Sequence, residues 1–377
     1  MTYDWLIVGA GFTGATLAER LASECGQKVL VIDRRPHIAG NAFDETDGNG
    51  ILVQRFGPHI FHTNNKKVWD YLSRFTDWRL YYHRVLCMVD GKTVPVPFNL
   101  DSMYALFPPR MADRLAEELV NRFGFGVKVP ILKLRETSGK ELNWLASYIY
   151  EKVFLHYTEK QWGMKPDELD PSVTERVPVH ISRDDRYFQD THQAMPVEGF
   201  TAMIKKILDH PNICVQLNTE YTSLPADTAK RTIFTGPIDE FFGNEYGALP
   251  YRSLRFEYMT ENCRHYLPAT SVNYPNEYDF TRLTEAKYLS GQDDMPVTTV
   301  IYEYSLAYQQ ARNEPYYPIP SPGSHAKLKP YLKKADGLKG KIWFAGRLGD
   351  YKYYNMDQAC TRALELFETE LAPICGK

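Results

Sequence analysis

The sequence lacks the features that mark membrane proteins, disulfide-rich proteins and nucleic-acid-binding proteins. No apolar run approaches the length of a membrane span, and Asp4 stands where a signal peptide would carry positive charge, so we expect no membrane partner. The six cysteines are widely spaced without a C-x-x-C pair, which is typical of reduced thiols in a cytoplasmic protein. A net charge of −3 gives no general attraction to nucleic acid. The length of 377 residues then predicts a cytoplasmic protein of two or three domains.

Tyrosine is the residue that the chain has in excess, with 26 copies. A tyrosine packs a flat apolar ring and keeps a hydroxyl free for a phosphate or sugar. Ordinary core and surface packing explains most of these residues, so the surplus is only consistent with a site that binds such groups.

The N-terminus contains a dinucleotide-binding pattern. A short apolar strand leads into G-A-G-F-T-G at residues 9–14, then a helix, then a second strand that ends at Asp33. Gly9 permits the tight turn, Gly11 lets a pyrophosphate approach the backbone, and Gly14 lets the helix pack on the strand. The helix N-terminus attracts phosphates, and Asp33 can accept hydrogen bonds from a ribose. A glycine turn that binds no phosphate is the alternative, but it does not explain Asp33.

The C-terminus predicts a second part of the same nucleotide domain. Residues 341–347 read as a buried strand that meets a glycine, and residues 357–371 read as a closing helix. A domain completed from both chain ends is typical of FAD-binding oxidoreductase folds, whereas NAD domains more often use one contiguous stretch. The pattern therefore favours FAD over NAD.

The predicted fold is of the mixed α/β and α+β class, with a Rossmann-like FAD-binding domain, a helical insert domain and an antiparallel β-sheet domain. Helices are expected at residues 101–106, 110–122, 142–154 and 200–208, and a hairpin at residues 82–96. The expected domains are FAD-binding residues 1–80 with about 195–240 and 335–377, a mainly helical domain at about 81–172, and a substrate domain with an antiparallel sheet at about 173–194 and 241–334.

Eight sequence blocks, spread over nearly the whole chain, resemble the UDP-galactopyranose mutase family of the prokaryotic type. The first block would fit many flavoproteins, whereas Y-T-E-K-Q-W and G-R-L-G-D-Y are specific to the family. The blocks lie at residues 8–14, 37–41, 56–63, 157–163, 186–188, 195–201, 314–319 and 346–353.

The resemblance implies an isomerase that interconverts UDP-galactopyranose and UDP-galactofuranose. In this family FAD acts in its reduced form: N5 attacks the anomeric carbon, UDP leaves, and the ring recloses through another hydroxyl of a flavin–sugar adduct. The product serves the biosynthesis of galactofuranose-containing glycans of the cell wall or surface. The family also implies NAD(P)H or a reductase as electron donor, and a homodimer.

Arg176 and Arg282 are the catalytic residues that the resemblance implies, because guanidinium groups can stabilise the charge of a leaving diphosphate. Both lie in strand-like alternation. From the residues alone, a cross-strand ion pair with a carboxylate such as Glu285 or Asp279 explains Arg282 about equally well.

The other substrate-binding residues are likewise carried over from the family. The tyrosines would donate hydrogen bonds to phosphate without adding charge. Residues 163–175 would form a lid over UDP, and the alternative is an ordinary exposed loop. His83 stands where some relatives have asparagine, Asn355 where many have aspartate, and Val153 where a second phenylalanine is common. The full set is His83, Phe154, Tyr157, Thr158, Trp162, Arg176, Tyr187, Asn273, Arg282, Tyr317, Tyr353 and Asn355.

The predicted cofactor residues come from the glycine pattern and from the family. The segment with His59 is expected beside the flavin ring, where a positive or donating group would favour an anionic reduced flavin. His59 and His62 alone are too few ligands for a metal site. The set is Gly9, Gly11, Phe12, Gly14, Asp33, Arg34, Gly40, Asn41, His59, Ile60, Arg347, Met356 and Asp357.

Two other functions fit parts of the sequence. An amine-oxidase-like FAD oxidoreductase explains both chain ends, but it does not explain Arg176, Arg282 and the polar tyrosines. A non-enzymatic binder of UDP-sugars or dinucleotides is the second alternative.

Overall fold

A five-stranded parallel sheet unites the two ends of the chain. The computed structural model of the protein describes residues 3–171, 173 and 177–376. Helices on one face of this sheet share a core with it, and Leu6, Leu30 and Ile32 form a smaller cluster on it. In spatial order the strands are Ile213–Gln216, Val29–Ile32, Tyr3–Val8, Ala229–Phe234 and Ile342–Phe344.

Three helices cover the face of the parallel sheet that carries the larger core. The Phe12–Cys25 helix contacts both Phe200–Leu208 and Met356–Leu366. Their apolar side chains pack with Trp5 and Ile7 of the central strand. The glycine turn follows the carboxyl end of the central strand. In open α/β sheets, ligands bind at the carboxyl ends of the strands.

A seven-stranded, mostly antiparallel sheet forms the second layer of the molecule. The strands Tyr251–Glu261 and Thr298–Ala307 pair along nearly their whole length. In spatial order the sheet contains Tyr317–Pro318, Tyr251–Glu261, Thr298–Ala307, Arg282–Glu285, Ser271–Asn273, Val85–Val89 and Lys92–Val96.

The helical region packs against the edge hairpin of that sheet. The hairpin turns at Asp90 and Gly91, as predicted, and its buried valines share a core with the helices. Although the hairpin lies within the stretch expected to be mainly helical, its strands belong to the seven-stranded sheet. The helices are Leu100–Leu106, Pro109–Phe123, Ile131–Arg135, Lys140–Ile149, a π-helical segment at Tyr150–Leu155, and His156–Trp162.

Short elements connect these layers. The additional sheets are Phe61–Thr63 with His192–Pro196 and Trp78–Leu80, Asp44–Thr46 with Leu52–Gln54, and Lys128–Val129 with Val179–His180. Further helical segments are Gly40–Ala42, Lys66–Leu72, Pro166–Glu168, Tyr221–Ser223, Ile238–Phe241, Ala286–Ser290, Pro322–Asp336, Gly346–Gly349, Phe367–Leu371 and Ala372–Ile374.

The predicted mixed α/β class is confirmed, and the Phe200–Leu208 helix has the predicted bounds. The strand predicted for residues 341–347 is wrong at its end, because Ile342–Phe344 stops before Gly346. Gly346 adopts a φ of +87° and starts a helical turn, and its N–H donates to Asp350 at 3.0 Å. Within the described ranges of the chain, no helix is both long and apolar enough to cross a bilayer.

Replacing Gly14 by alanine should destabilise the protein by about 1–3 kcal/mol. A Cβ at this position would lie 1.9 Å from the Gly9 carbonyl oxygen, which is backbone and cannot move aside easily. This clash outweighs the roughly 1 kcal/mol that alanine gains over glycine in a helix. The measurement is urea unfolding of Gly14→Ala beside Gly48→Ala as control, since a Cβ at Gly48 would meet no described atom within 4 Å. Equal stability of the two variants would contradict the prediction.

Candidate active site

The turn after the first strand forms a cradle of close backbone contacts. Gly9 has a φ of +108°, and a Cβ there would lie 2.0 Å from Thr235 Oγ1. A Cβ on Gly40 would lie 3.1 Å from the Gly11 Cα, so the two glycine loops face each other at close range. Because the helix N-cap is Gly11, no side chain of the cap residue can occupy the first N–H groups. They can bind a phosphate.

Asp33 is buried and holds this cradle together. Its Oδ2 accepts a hydrogen bond from the Ala10 N–H at 3.0 Å, and its Oδ1 accepts one from the Arg35 N–H at 3.0 Å. Arg35 Nη1 in turn donates to Asn41 Oδ1 at 3.0 Å. Asp33 therefore links the turn to the Gly40 loop. Its Oδ1 also accepts from Arg35 Nε at 3.5 Å, so Oδ2 is the oxygen whose second lone pair can accept a ribose hydroxyl.

Arg34 extends from the cradle toward the segment that carries Tyr317. Its guanidinium lies 2.7 Å from Glu314 Oε2 and 3.5 Å from Glu240 Oε2. Burial disfavours the Arg34 charge, but the attraction of both carboxylates outweighs it and raises the arginine pKa.

The N-terminus of the Met356–Leu366 helix meets the segment that contains His59. Thr63 Oγ1 donates to Asp357 Oδ2 at 3.0 Å. Asp357 Oδ1 is buried, and it has no hydrogen-bond partner among the residues that the structure describes. Arg347 Nη2 donates to the Tyr354 carbonyl at 2.6 Å and thereby fixes the loop before this helix.

A cavity of about 790 Å³ lies between the two large sheets and the helical region. Predicted residues from seven separate parts of the sequence line it. The predicted cofactor residues that do not line it are Gly9, Gly11, Phe12, Gly14, Asp33, Arg34, Gly40, Asn41 and Asp357. Arg176 lies outside the described residues. The predicted residues that line the cavity are His59, Ile60, His83, Phe154, Tyr157, Thr158, Trp162, Tyr187, Asn273, Arg282, Tyr317, Arg347, Tyr353, Asn355 and Met356.

A π-helical segment presents Phe154 to this cavity. The helix predicted for residues 142–154 is α-helical only to Ile149, and Tyr150–Leu155 is wound more widely. Such a segment shifts the direction of the following side chains and is frequent at functional sites. Phe154 and Tyr157 both line the cavity as a result.

Arg282 is a buried cation with a cross-strand partner. It pairs in register with Glu303 of the neighbouring strand, and the Nη2 and Oε1 atoms are 3.1 Å apart. Burial disfavours its charge, but attraction to Glu303 and the Tyr157 hydroxyl outweighs this and raises the arginine pKa. The suggested partner Glu285 is wrong, because its carboxylate binds the Tyr266 and Leu267 N–H groups instead.

Three buried polar atoms around this pair have no hydrogen-bond partner within the described part of the chain. They are Arg282 Nε, Glu303 Oε1 and Asn273 Oδ1. Asn273 is paired in register with Arg282, so the three side chains lie on adjacent strands. Buried polar groups normally have partners, and a polar ligand in the cavity would supply them.

Neutral phenols and an indole lie beside Arg282. The Tyr317 and Tyr353 ring centroids are 5.0 Å apart, and Trp162 contacts both rings edge-on or tilted. Burial raises the pKa of both Tyr157 and Tyr317, so these hydroxyls keep their protons. They can donate hydrogen bonds to an anion without changing their charge.

His59 is neutral. Its Nδ1 lies 2.9 Å from the Gly57 carbonyl, which can only accept, so Nδ1 carries the proton. Burial lowers the pKa of His59 to about 4, and the Arg347 and Arg282 charges add to this effect. Of the positive or donating group expected in this segment, His59 does not supply the positive charge, and Arg347 is the nearby cation.

His83 is also neutral and buried in the cavity wall. Burial lowers its pKa to about 3, with further contributions from Arg282 and His62. Its Nδ1 lies 3.3 Å from the Tyr81 hydroxyl.

The sequence analysis missed other residues that line the cavity. Gln161 lies inside the quoted Y-T-E-K-Q-W block, and Ser305 donates to its Oε1 at 2.9 Å. Glu303 could have been found from the alternation of its strand. His62 was considered only as a metal ligand, and the described residues contain no group of three or more His, Cys, Asp or Glu side chains able to hold a metal. Phe188, Asp190, Lys128 and Lys352 also line the cavity and were not among the predicted site residues.

The buried state of His83 predicts a pH dependence of stability. Its pKa is about 3 in the folded protein and about 6.5 when unfolded, so the unfolded chain binds the proton first as pH falls. The contribution of neutral His83 to the free energy of unfolding is present above pH 6.5 and is lost as the pH falls below it. At pH 5 the loss is about 2 kcal/mol. Urea unfolding at pH 7.5 and 5.0 should show a smaller loss for His83→Gln than for the parent protein. An equal loss in both proteins would contradict this.

Comparison with known proteins places the chain in a family. The family model described as UDP-galactopyranose mutase matches residues 152–353, and an NAD(P)-binding Rossmann-like domain model matches residues 7–75. A probable UDP-galactopyranose mutase of Klebsiella pneumoniae is 36% identical over 374 residues, which cover 99% of this chain and 96% of that protein. A dTDP-fucopyranose mutase of Escherichia coli is 32% identical over 368 residues, 96% of each chain.

The fold also matches a solved structure. A reduced UDP-galactopyranose mutase superimposes with a TM-score of 0.74 at 17% sequence identity, over 100% of this chain and 95% of that one. This likeness supports the shared fold, and the sequence matches carry the assignment. The chain belongs to the UDP-galactopyranose mutase family, a family of isomerases.

Proposed function

We propose that this protein interconverts UDP-galactopyranose and UDP-galactofuranose with reduced FAD as its cofactor. The observation that carries the proposal is the cavity at Arg282, where three buried polar atoms have no hydrogen-bond partner among the described residues. A diphosphate sugar brings oxygen acceptors for the guanidinium and hydroxyl donors for the carboxylate and amide.

The residues at the N-terminal turn fit an FAD. Gly9, Gly11 and Gly40 form a cradle in which Cβ atoms would fill the approach to the backbone. The N-terminus of the Phe12–Cys25 helix can bind the pyrophosphate, and Asp33 and Arg34 lie at the ribose side. The other residues proposed to hold FAD are Phe12, Gly14, Asn41, His59, Ile60, Arg347, Met356 and Asp357.

Reduced FAD, when bound, would supply the nucleophile for displacement of UDP from the anomeric carbon. The residues of this chain have the task of stabilising the diphosphate that leaves. Arg282 offers a fixed charge, and Tyr157, Tyr317 and Tyr353 offer neutral donors in a buried site where such interactions are strong. Arg176 is proposed as the second cation.

Isomerisation of dTDP-fucopyranose is a second candidate activity, because the Escherichia coli relative with that name is 32% identical over 96% of this chain. The two substrates differ at the C6 hydroxyl of the sugar, the 2′-hydroxyl of the ribose and the methyl group of the base. Three residues that differ from the usual family residue, His83, Val153 and Asn355, line the cavity. We propose that they select between the two nucleotide sugars.

The remaining parts of the proposal rest on the sequence patterns and on the resemblance. They are a cytoplasmic homodimer, reduction by NAD(P)H or a reductase, use of the product in glycans, a lid at residues 163–175, and the three domains with the boundaries given above. Family membership favours the isomerase over the amine-oxidase-like alternative, which explains the two chain ends but not the cavity arginines and tyrosines.

Dithionite-reduced protein should convert UDP-galactofuranose to UDP-galactopyranose without consuming an electron acceptor, and oxidised protein should not. Chromatographic assay of both forms, with dTDP-fucofuranose in parallel, measures this and separates the two candidate substrates. Absence of conversion of either compound by reduced, FAD-loaded protein would refute the proposal.

Arg282→Ala and Arg176→Ala should each lower turnover by about 10²–10³-fold while the protein keeps its yellow FAD. The loss follows from removing a charge that stabilises the leaving diphosphate. Arg255→Ala is the matched control, because Arg255 is an exposed arginine that pairs with Glu257 outside the cavity. If Arg282→Ala loses FAD, Arg282→Ala/Glu303→Gln removes the unpaired carboxylate and repeats the measurement. Near-normal turnover in either arginine variant would exclude that residue from the role.

A further inference from the structure

Arg252 is a buried arginine that lies outside the cavity and has no task in the proposed function. The residue is 9% exposed. Its Nε donates to the Gln161 carbonyl at 2.9 Å, and its Nη2 donates to the Lys160 carbonyl at 3.0 Å. Within the described part of the chain no carboxylate pairs with it, and burial lowers its pKa. Since an arginine does not lose its proton, this guanidinium is a buried cation whose partners are backbone carbonyls.

Both carbonyls belong to the C-terminal end of the His156–Trp162 helix. The last four carbonyls of a helix have no partner within it, and this end carries a partial negative charge. A guanidinium answers both needs with two hydrogen bonds. The helix ends at Gly163, where φ is +69°, and a Cβ on this glycine would lie 3.1 Å from Arg252 Nη1. Arg252 therefore caps the helix and fills the space beside its last turn.

The main chain of Arg252 holds a second part of the cavity wall. Arg252 is paired in register with Tyr317, and its carbonyl accepts a hydrogen bond from the Tyr316 N–H at 2.9 Å. Trp162 is the last residue of the capped helix, and its ring centroid lies 6.1 Å from that of Tyr317. Both rings line the cavity. Arg252 thus joins the helix that carries Trp162 to the strand that carries Tyr317.

Resting on the proposed function, we propose that Arg252 is a positioning residue that sets the place of Trp162 in the cavity wall. Its side chain fixes the end of the helix, and its main chain fixes Tyr317, so the two rings keep a constant separation. Loss of the side chain releases the helix end but leaves the strand pairing of Tyr317 intact. The effect falls on Trp162, a proposed substrate-binding residue, and therefore on binding of the nucleotide rather than on turnover of the bound substrate.

A second arginine caps a helix in the same way, away from the cavity. Arg79 Nη2 donates to the Leu289 carbonyl at 2.5 Å, near the end of the Ala286–Ser290 helix. This helix also ends at a glycine, Gly291, with a φ of +76°, and a Cβ there would lie 2.7 Å from Arg79 Nε. Neither Arg79 nor Gly291 lines the cavity. Arg79 is therefore the matched control, because it shows what such a cap does for the fold alone.

The test compares Arg252→Met with Arg79→Met, since each change removes a guanidinium and keeps an unbranched side chain. In dithionite-reduced, FAD-loaded protein, Arg252→Met should raise the dissociation constant for UDP, measured by calorimetry, about tenfold. The KM for UDP-galactofuranose should rise in proportion, whereas kcat should stay within about threefold. Arg79→Met should keep the dissociation constant within about twofold, although both variants lower the midpoint of urea unfolding.

A conservative variant tests the chemistry of the cap. Arg252→Lys keeps the charge and places an ammonium, which has three donors, near the same carbonyls. Lys287 provides a precedent in this chain, because its Nζ donates to the carbonyls of Arg264 and Met295. The dissociation constant of Arg252→Lys for UDP should therefore lie within about threefold of the parent value.

Several outcomes would overturn the inference. Arg252→Met may bind UDP as the parent does, or Arg79→Met may weaken UDP binding equally, which would make the cap a feature of stability alone. A fall in kcat at constant KM would place the effect in the reaction step. Equal weakening in Arg252→Lys and Arg252→Met would show that bonding to the carbonyls is not the cause.

A second pair of variants decides by the same criteria if Arg252→Met does not fold or retain FAD. Gly163→Ala presses on the cap from the other side, and Gly291→Ala is its control. Failure of the parent protein to bind UDP would refute the proposed function itself. A parent protein that binds UDP without isomerising the sugar would refute the proposed reaction, and the dissociation constants of the variants would still decide the role of Arg252.

Discussion

The ion pair between Arg282 and Glu303 is the interaction on which the rest of the cavity depends. Taking both groups out of water costs several kcal/mol per ion, and their attraction offsets this cost only when the remaining polar atoms are also satisfied. Arg282 Nε has no hydrogen-bond partner in the described part of the chain, and Glu303 Oε1 has no contact there that meets hydrogen-bond geometry, although it lies 3.1 Å from Arg282 Nη2. The pair is therefore incomplete as a structural feature, and the most economical completion is a bound polar ligand. Of the two alternatives weighed from sequence, the ion pair is present in the structure, and the role of Arg282 in binding a ligand stays a prediction.

The charge of Arg282 also determines the protonation of its neighbours. It adds to burial in lowering the pKa of His59 and His83, and it opposes the rise in the pKa of Tyr157 without reversing it. Positive charge is thus concentrated on guanidinium groups that cannot lose it, whereas the aromatic wall stays neutral. Such a distribution binds a diphosphate strongly and offers few protons. His62 differs from the other two histidines because a carboxylate, not an arginine, is its nearest charged partner.

Much of this arrangement can be predicted from sequence where local rules apply. The glycine pattern predicted the turn because each glycine has a steric reason that a single βαβ unit reveals, and the Phe200–Leu208 helix followed from its periodicity. Glu303 could not be assigned to Arg282, because the two residues meet only through the register of two strands. The π-helical segment at Tyr150–Leu155 does not follow the 3.6-residue period, and the Pro322–Asp336 helix was missed because it contains Pro330. The family motifs brought most cavity residues into one set, but they carry no information on protonation, which arises from burial in the folded protein.

The nucleotide cradle and the cavity share structural segments, and this sharing explains why family motifs from distant parts of the chain occur together. Residues 59–63 line the cavity at one end and bind the Met356–Leu366 helix through Thr63 at the other. Arg34 of the cradle pairs with Glu314, three residues before Tyr317 of the cavity. Arg347 lies between these parts, within 5.4 Å of the Tyr317 and Tyr353 ring centroids and bonded to the Tyr354 carbonyl. A change that displaces the cradle would therefore also displace the tyrosines. On this geometry, the FAD that we propose for the cradle would also contribute to the substrate site, because it would order the segments that form its wall.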